Sequence, residues 1–235
     1  MKRLLLLFTA TAVAGWLSSA THAGWYDGFD TYADGQWLDG GADDGGWKGW
    51  FNDPAFGAQV TSAYWYSSPH SVDIVGNADL VHEFAGADYG QWIFTAWQYV
   101  PDNFSGLSYF ILLNTYNDAG SGLNWSTQVS FDSSTGLVNS EFEGATLPMI
   151  TGQWVELRVE IDLDNDWQEF YYGGNLLTAK SWSDGVSGGG ALNIGAVDLF
   201  ANGATSVYYD NMSLVPTPGA GVLLVLGLAA RRRRR

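Results

Sequence analysis

Glu160-Ile161-Asp162-Leu163-Asp164 carries three carboxylates at a spacing of two. On an extended strand that spacing puts all three on one face. Paired carboxylates are what glycoside hydrolysis uses, one as acid and the other as nucleophile or base. A second chemistry-bearing set is aromatic. Trp47 and Trp50 fall in a Gly/Asp-rich stretch, and Trp65 sits between two tyrosines in Ala63-Tyr64-Trp65-Tyr66. Flat rings offer a face on which sugar C–H bonds stack, while nearby Asp and Asn bond the hydroxyls. Trp47, Trp50 and Trp65 are therefore the candidate glycan-binding residues. Other chemistries are excluded. The chain has no cysteine and only three histidines, so thiol nucleophiles and a zinc site are not expected. Gly185-Val186-Ser187-Gly188-Gly189 matches a nucleophile elbow formally, but no histidine follows it and its setting is a glycine-rich loop.

The elements that position these groups read as strands. Val155, Leu157, Val159, Ile161 and Leu163 alternate with Glu156, Arg158, Glu160, Asp162 and Asp164. A period of two over ten residues specifies a strand with one buried and one wet face. Asn165-Asp166 begin a turn, and Glu169 to Leu177 run back as the partner. Further strands are predicted near 58–64, 70–76, 78–84, 91–100, 106–116, 126–132, 137–143, 153–164, 168–180, 191–201 and 206–214. Trp92, Trp97 and Trp154 are expected to be buried within them. The 30 glycines, well above the usual share, supply the turns. Many hairpins and no long amphipathic helix predict an all-β fold of two packed antiparallel sheets over residues 24–214.

A Trp-led alternating strand, an acidic turn and an aromatic strand ending in Gly173-Gly174-Asn175 resemble the hairpin of concanavalin A-like and laminin-G-like jelly rolls. The opening Asp27-Gly28-Phe29-Asp30 and the closing Val207-Tyr208-Tyr209-Asp210 are similar to the first and last strands of such sandwiches. That resemblance implies a structural calcium tying first strand to last through Asp30 and Asp210, with backbone carbonyls completing an oxygen shell. The Glu160-to-Asp164 segment is similar to the catalytic strand of laminarinase-type hydrolases. By that likeness Glu160 would be nucleophile, Asp162 its modulator and Asp164 the acid, although the third position there is glutamate.

Charge and the two ends bear on location. Lys48, Arg158 and Lys180 are the only basic residues between 24 and 214, against 25 aspartates and glutamates, a balance of −22. Such a field repels phosphate backbones, so no nucleic-acid partner is expected. Lys2 and Arg3, an apolar run and Thr21-His22-Ala23 have the organisation of a secretory signal peptide over residues 1–23. At the other end, Pro216 and Pro218 are expected to stop the last strand. Residues 219–230 then form an apolar run, and Arg231 to Arg235 close the chain. As a helix those 12 residues would span about 18 Å, short of a full bilayer, so transient insertion with the arginines held inside is the expectation.

Val215-Pro216-Thr217-Pro218-Gly219, an apolar run and a terminal arginine cluster resemble the PEP-CTERM family of sorting signals, with Thr217 where Glu is commonest. This implies recognition by an exosortase, a membrane transpeptidase, and delivery to the cell envelope, surface or extracellular matrix. Three functions are compatible with the whole. The expected one is a non-catalytic module that binds extracellular polysaccharide or packs into a matrix. The others are a laminarinase-like hydrolase acting through Glu160 and a structural surface protein without a small ligand.

Overall fold

The computed structural model describes residues 24–217, and the signal-peptide segment, Pro218, Gly219, the apolar run and the arginine cluster lie outside them. The described chain is an all-β, two-sheet antiparallel jelly-roll sandwich. The larger, nine-stranded sheet runs in the order β14 (Asn175–Lys180), β13 (Trp167–Tyr172), β12 (Trp154–Asp162), β7 (Gln91–Tyr99), β16 (Val207–Pro216), β5 (Ser71–Ile74), β4 (Ala58–Thr61) and β2 (Trp37–Leu38), with β1 (Trp25–Asp27) also pairing β16. The seven-stranded sheet runs β11 (Thr146–Pro148), β10 (Leu137–Ser140), β9 (Asn124–Asp132), β8 (Leu107–Thr115), β15 (Ala196–Phe200), β6 (Asp79–Glu83) and β3 (Trp47–Gly49). Among the described residues no helix is long and apolar enough to cross a membrane.

Between the sheets lies one core built from alternate residues of both inner faces. Val155, Leu157, Val159 and Ile161 of β12 meet Phe94 and Ala96 of β7 across the register pairs Leu157 with Ala96 and Val159 with Phe94. Phe110 and Leu112 of β8, with Val129 and Phe131 of β9, face them from the smaller sheet. Full burial of each such side chain contributes roughly 1.5–3 kcal/mol. On the far side of the smaller sheet, Val81, Ile111, Leu113, Tyr116 and Ala196 form a second apolar cluster.

The alternating strand pairs as its period demands, but its limits differ from expectation. β12 ends at Asp162, so Asp164 lies in the turn and leaves the face shared by Glu160 and Asp162. Its Oδ1 accepts the Gly90 N–H at 2.9 Å. The return segment 168–180 is two strands, because Gly173 and Gly174, at φ of 54° and 78°, make a tight turn between β13 and β14. At the other end β16 runs two residues past 214, through Val215 opposite Ile93 and Pro216 opposite Trp92. Thr217 N–H donates to the Gln91 carbonyl, so the alternate residue Pro216 sits where the absent N–H would point away from β7. Two residues of the expected sorting motif thus belong to the sandwich. The short strands β1, β2, β3 and β11 escaped the periodic reading because two or three residues show no period.

Candidate functional site

The outer face of the larger sheet carries two chemically different ends. Alternation turns Ile93, Thr95, Trp97 and Tyr99 of β7 outward, together with Trp154, Glu156, Arg158, Glu160 and Asp162 of β12. Register sets Trp154 opposite Tyr99, and Tyr99 opposite Tyr208 of β16, so three rings share one row. Trp97 and Trp154, expected in the core, are only partly buried here. The strand phase that buries Trp92 and Val155 turns them outward. Trp92 is buried as expected.

Over this aromatic row lies the connection 62–70 between β4 and β5. Asp210 anchors it: one carboxylate oxygen accepts the N–H groups of Tyr66 and Ser67 at 2.7 and 2.9 Å. The other oxygen accepts the N–H of Asn211 at 2.6 Å. Ser67 Oγ donates to Asn211 Oδ1 at 2.8 Å, and Ser71 Oγ to the Tyr64 carbonyl at 2.5 Å. The loop lays its rings on those of the sheet. Tyr66 stacks on Trp97 with centroids 3.9 Å apart, and Tyr64 stacks on Tyr99 at 4.6 Å. Tyr64 also meets Tyr208 at 4.8 Å, and Trp154 closes on Tyr66 at 6.0 Å. Tyr64, Trp65 and Tyr66 remain 40, 46 and 41% exposed. Three consecutive rings therefore face solvent, two of them held by stacked rings beneath.

Beside the rings is a cavity of about 180 Å³ lined by Tyr64, Pro101, Asn103, Thr205, Ser206 and Tyr208. Ser206 Oγ donates to Asp73 Oδ2 at 3.0 Å, and burial pushes the Asp73 carboxyl up to about 6. Hydroxyl and amide groups thus line a cavity next to apolar ring faces, with the Asp73 carboxyl behind Ser206.

The opposite end of the face holds a groove of about 380 Å³ that includes Glu160, Asp162, Trp167 and Glu169. Its carboxylates are already engaged. Glu160 pairs with Arg158, and Asp162 accepts from Gln91 Nε2 at 2.7 Å and from the side chain and N–H of Asn165. Glu169 accepts from Trp167 Nε1 and the Tyr171 hydroxyl. Burial raises Asp162 somewhat, but these donors outweigh it and hold the carboxyl below its usual value. The Tyr171 and Trp167 donors likewise lower Glu169. A general acid needs the opposite displacement. Asp164, the expected acid, is turned to Gly90 and takes no part in lining the groove.

The three tryptophans singled out from the sequence do not form one site. Trp47 is in β3, wholly buried, with Nε1 donating to Asp27 Oδ2 at 2.8 Å and its ring against Phe29. It offers no face to a ligand, because pairing of β3 with β6 carries the ring into the core. Trp50 lies outside the smaller sheet, stacked with Trp125 at 6.2 Å and edge-on to Tyr116 at 5.1 Å. Only Trp65 joins the ring platform.

Asp210, one of the two expected calcium ligands, is committed to the loop. It is wholly buried and both its oxygens accept backbone N–H groups, two on Oδ2 and one on Oδ1. Asp30, exposed, is near enough for its charge to contribute to raising Asp210, whose carboxyl burial pushes up to about 6. Among the described residues no three Asp, Glu, His or Cys side chains gather as a metal-binding group. The residues that sequence reasoning passed over are Tyr64, Tyr66, Trp97, Tyr99, Trp154 and Tyr208. The signal for Trp97, Tyr99 and Trp154 was strand parity: outward positions of β7 and β12 are aromatic at the same end.

By sequence, no family model matches this chain and no curated protein is similar to it. By structure, its sandwich is similar to the cellulose-induced protein Cip1, at 15% identity and a TM-score of 0.52, covering 82% of this chain and 97% of that one. It is also similar to a sialidase, at 8% identity and a TM-score of 0.54, covering 84% of this chain but 19% of the sialidase. The globular domain of T. cruzi calreticulin is similar at 9% identity and a TM-score of 0.50, covering 77% of this chain and 87% of that domain. At these identities the likeness is one of fold.

Proposed function

We propose that this chain is a non-catalytic glycan-binding sandwich whose ligand lies across Tyr64, Trp65 and Tyr66. The observation that carries this reading is the stacked platform itself, with three exposed rings beside a small cavity lined by hydroxyl and amide groups. Rings already stacked lose little freedom when a sugar lands on them, so less of the interaction is spent on ordering. The net charge of −15 disfavours uronate-rich or sulfated polymers and favours neutral polysaccharides as the ligand class. Three exposed rings in sequence favour a binding role over a purely structural one. The hydrolase reading is the weaker one, since the carboxylates of the Glu160 groove are neutralised or held below their usual values.

The ends of the chain complete the proposal. Residues 1–23 direct export, and the tail from Val215 to Arg235 is read by an exosortase after transient insertion of its apolar run, which delivers the sandwich to the envelope or matrix. The support for this is the order of charged, apolar and motif residues in the sequence.

The test is a panel of neutral polysaccharides (β-1,3-glucan, mixed-linkage β-glucan, xyloglucan and galactomannan) applied to the full chain by affinity electrophoresis. Retention without release of reducing sugar, weakened by Trp65→Ala, is the expected result. Release of reducing sugar that Glu160→Gln abolishes would overturn it in favour of the hydrolase.

A further inference from the structure

Trp65 and Trp50 lie on opposite outer faces of the sandwich. Trp65 belongs to the platform over the larger sheet. Trp50 packs on the cluster of Val81, Ile111, Leu113 and Tyr116, which faces away from the core on the smaller sheet. There Leu80, Phe110 and Leu112 point inward while their neighbours Val81, Ile111 and Leu113 point outward. Two sheets about 10 Å apart, plus the side chains on both, separate the surfaces.

The second surface is aromatic like the first, with one exposed ring, Phe51, beside two half-buried tryptophans. Trp50 stacks with Trp125 at 6.2 Å and meets Tyr116 at 5.1 Å, while Phe51 lies beside Trp50 at 5.1 Å. Phe51 is 43% exposed. It is held there against its own preference, since Phe51 and Asn52 both have φ of 58°. That region is an outlier for a bulky residue and persists only where the surroundings enforce it. The Tyr116 hydroxyl is one of the restraints, accepting the Phe51 N–H at 2.9 Å. Polar groups stand at the edge of the rings: Lys48 Nζ bonds Asp118 Oδ1 at 2.6 Å and Glu83 Oε1 at 2.5 Å. A ring that only sealed the apolar cluster would need neither exposure nor a left-handed backbone.

We propose that the Trp50–Phe51–Trp125 surface is a second binding site for neutral polysaccharide, so that one molecule grips two glycan chains and cross-links them. The inference rests on the glycan-binding reading of the first platform and extends it. The two surfaces face opposite ways, so a single extended chain that lies along one does not reach the other. The second occupant is therefore a separate chain or a distant part of the same polymer. Two weak sites on one body also raise retention on a dense polymer by avidity, on the order of a hundredfold or more over either alone.

The test uses the full chain, the panel polysaccharide it binds best and a hexasaccharide of the same linkage. Calorimetric titration with the hexasaccharide gives the number of sites, and turbidity with the polymer reports cross-linking. Phe51→Gly removes the ring and relieves the backbone, because glycine adopts positive φ freely, so this variant stays folded. The wild type takes two hexasaccharides and clouds the polymer. Phe51→Gly and Trp65→Ala each take one, stay bound to the polymer and no longer cloud it, and the double variant is not retained. One site in the wild type, or unchanged stoichiometry and turbidity in Phe51→Gly, overturns the second site while leaving the first platform standing. If the wild type binds nothing in the panel, the glycan reading falls, and this inference with it.

Discussion

Tyr66 lies flat on Trp97, their ring centroids 3.9 Å apart and their planes 10° from parallel. One ring belongs to a loop and the other to a central strand, so this contact fastens the loop to the sheet and presents its outer face to solvent at once. Such a pair contributes about 0.5–1.5 kcal/mol beyond the area it buries. Replacing Tyr66 with alanine uncovers Trp97 and removes one of the three exposed rings. The expected outcome is a red shift of tryptophan emission and a roughly tenfold loss of polysaccharide affinity, equivalent to about 1.4 kcal/mol. Both are read from one fluorescence titration.

Asp210 holds the same loop from below through the N–H groups of Tyr66 and Ser67. Asp210→Asn exchanges a charged acceptor for a neutral one and points an amide donor at the Asn211 N–H. The expected cost is about 1–3 kcal/mol, or roughly 2–4 °C in Tm for each kcal/mol in a chain of this size. If backbone amides occupy Asp210 as described, neither calcium nor a chelator moves the wild-type Tm. A calcium-dependent rise that Asp210→Asn abolishes would give Asp210 the metal-ligand role instead.

Stability should fall as pH rises through neutrality. Burial pushes Asp73 and Asp210 up to about 6. Asp198, buried on the outer side of the smaller sheet and hydrogen-bonded to Asp79, is raised well above the usual value by burial and by the Asp79 charge; Asp79 is raised by burial. For an acid whose folded pKa exceeds its unfolded value, the stabilisation is complete below the unfolded pKa and is lost as pH rises through the folded one. Asp162, Asp166 and Glu169 shift downward, so their contribution is present at neutral pH and disappears in acid. The two sets together predict a maximum of stability between about pH 4 and 6. Denaturant melts at pH 5 and pH 8 check this, and Asp198→Asn should narrow the difference.

Trp47 separates a core role from a binding role. Its ring is fully buried and its Nε1 donates to Asp27. Trp47→Ala should cost about 3–5 kcal/mol and Trp47→Phe less, and the folded fraction of either should bind polysaccharide as the wild type does. Loss of affinity without loss of stability would return Trp47 to the binding site.

What could be read in the sequence divides along physical lines. The β12–β13 hairpin was legible because ten residues repeat one period, and a packed second face enforces that period. Its break at Gly173-Gly174 was legible in principle, since two glycines between alternating runs are the signature of a two-residue turn. The platform was hidden by a parity error. Trp92 and Trp97 are five apart, an odd number, so one strand cannot bury both. Trp154 likewise precedes Val155, whose burial turns it outward. Trp47 could not have been placed from its surroundings. Its burial depends on a three-residue strand finding β6, which lies more than thirty residues away. The anchoring of Tyr66 by Asp210 spans 144 positions and leaves no local trace.

The central claim is tested most directly by affinity electrophoresis of the full chain and its Trp65→Ala variant in gels cast with each neutral polysaccharide of the panel. The account predicts that at least one polymer retards the wild type, that Trp65→Ala migrates markedly faster in that gel, and that the two are indistinguishable without polymer. Equal retardation of both proteins, or none of either from folded material, would contradict it.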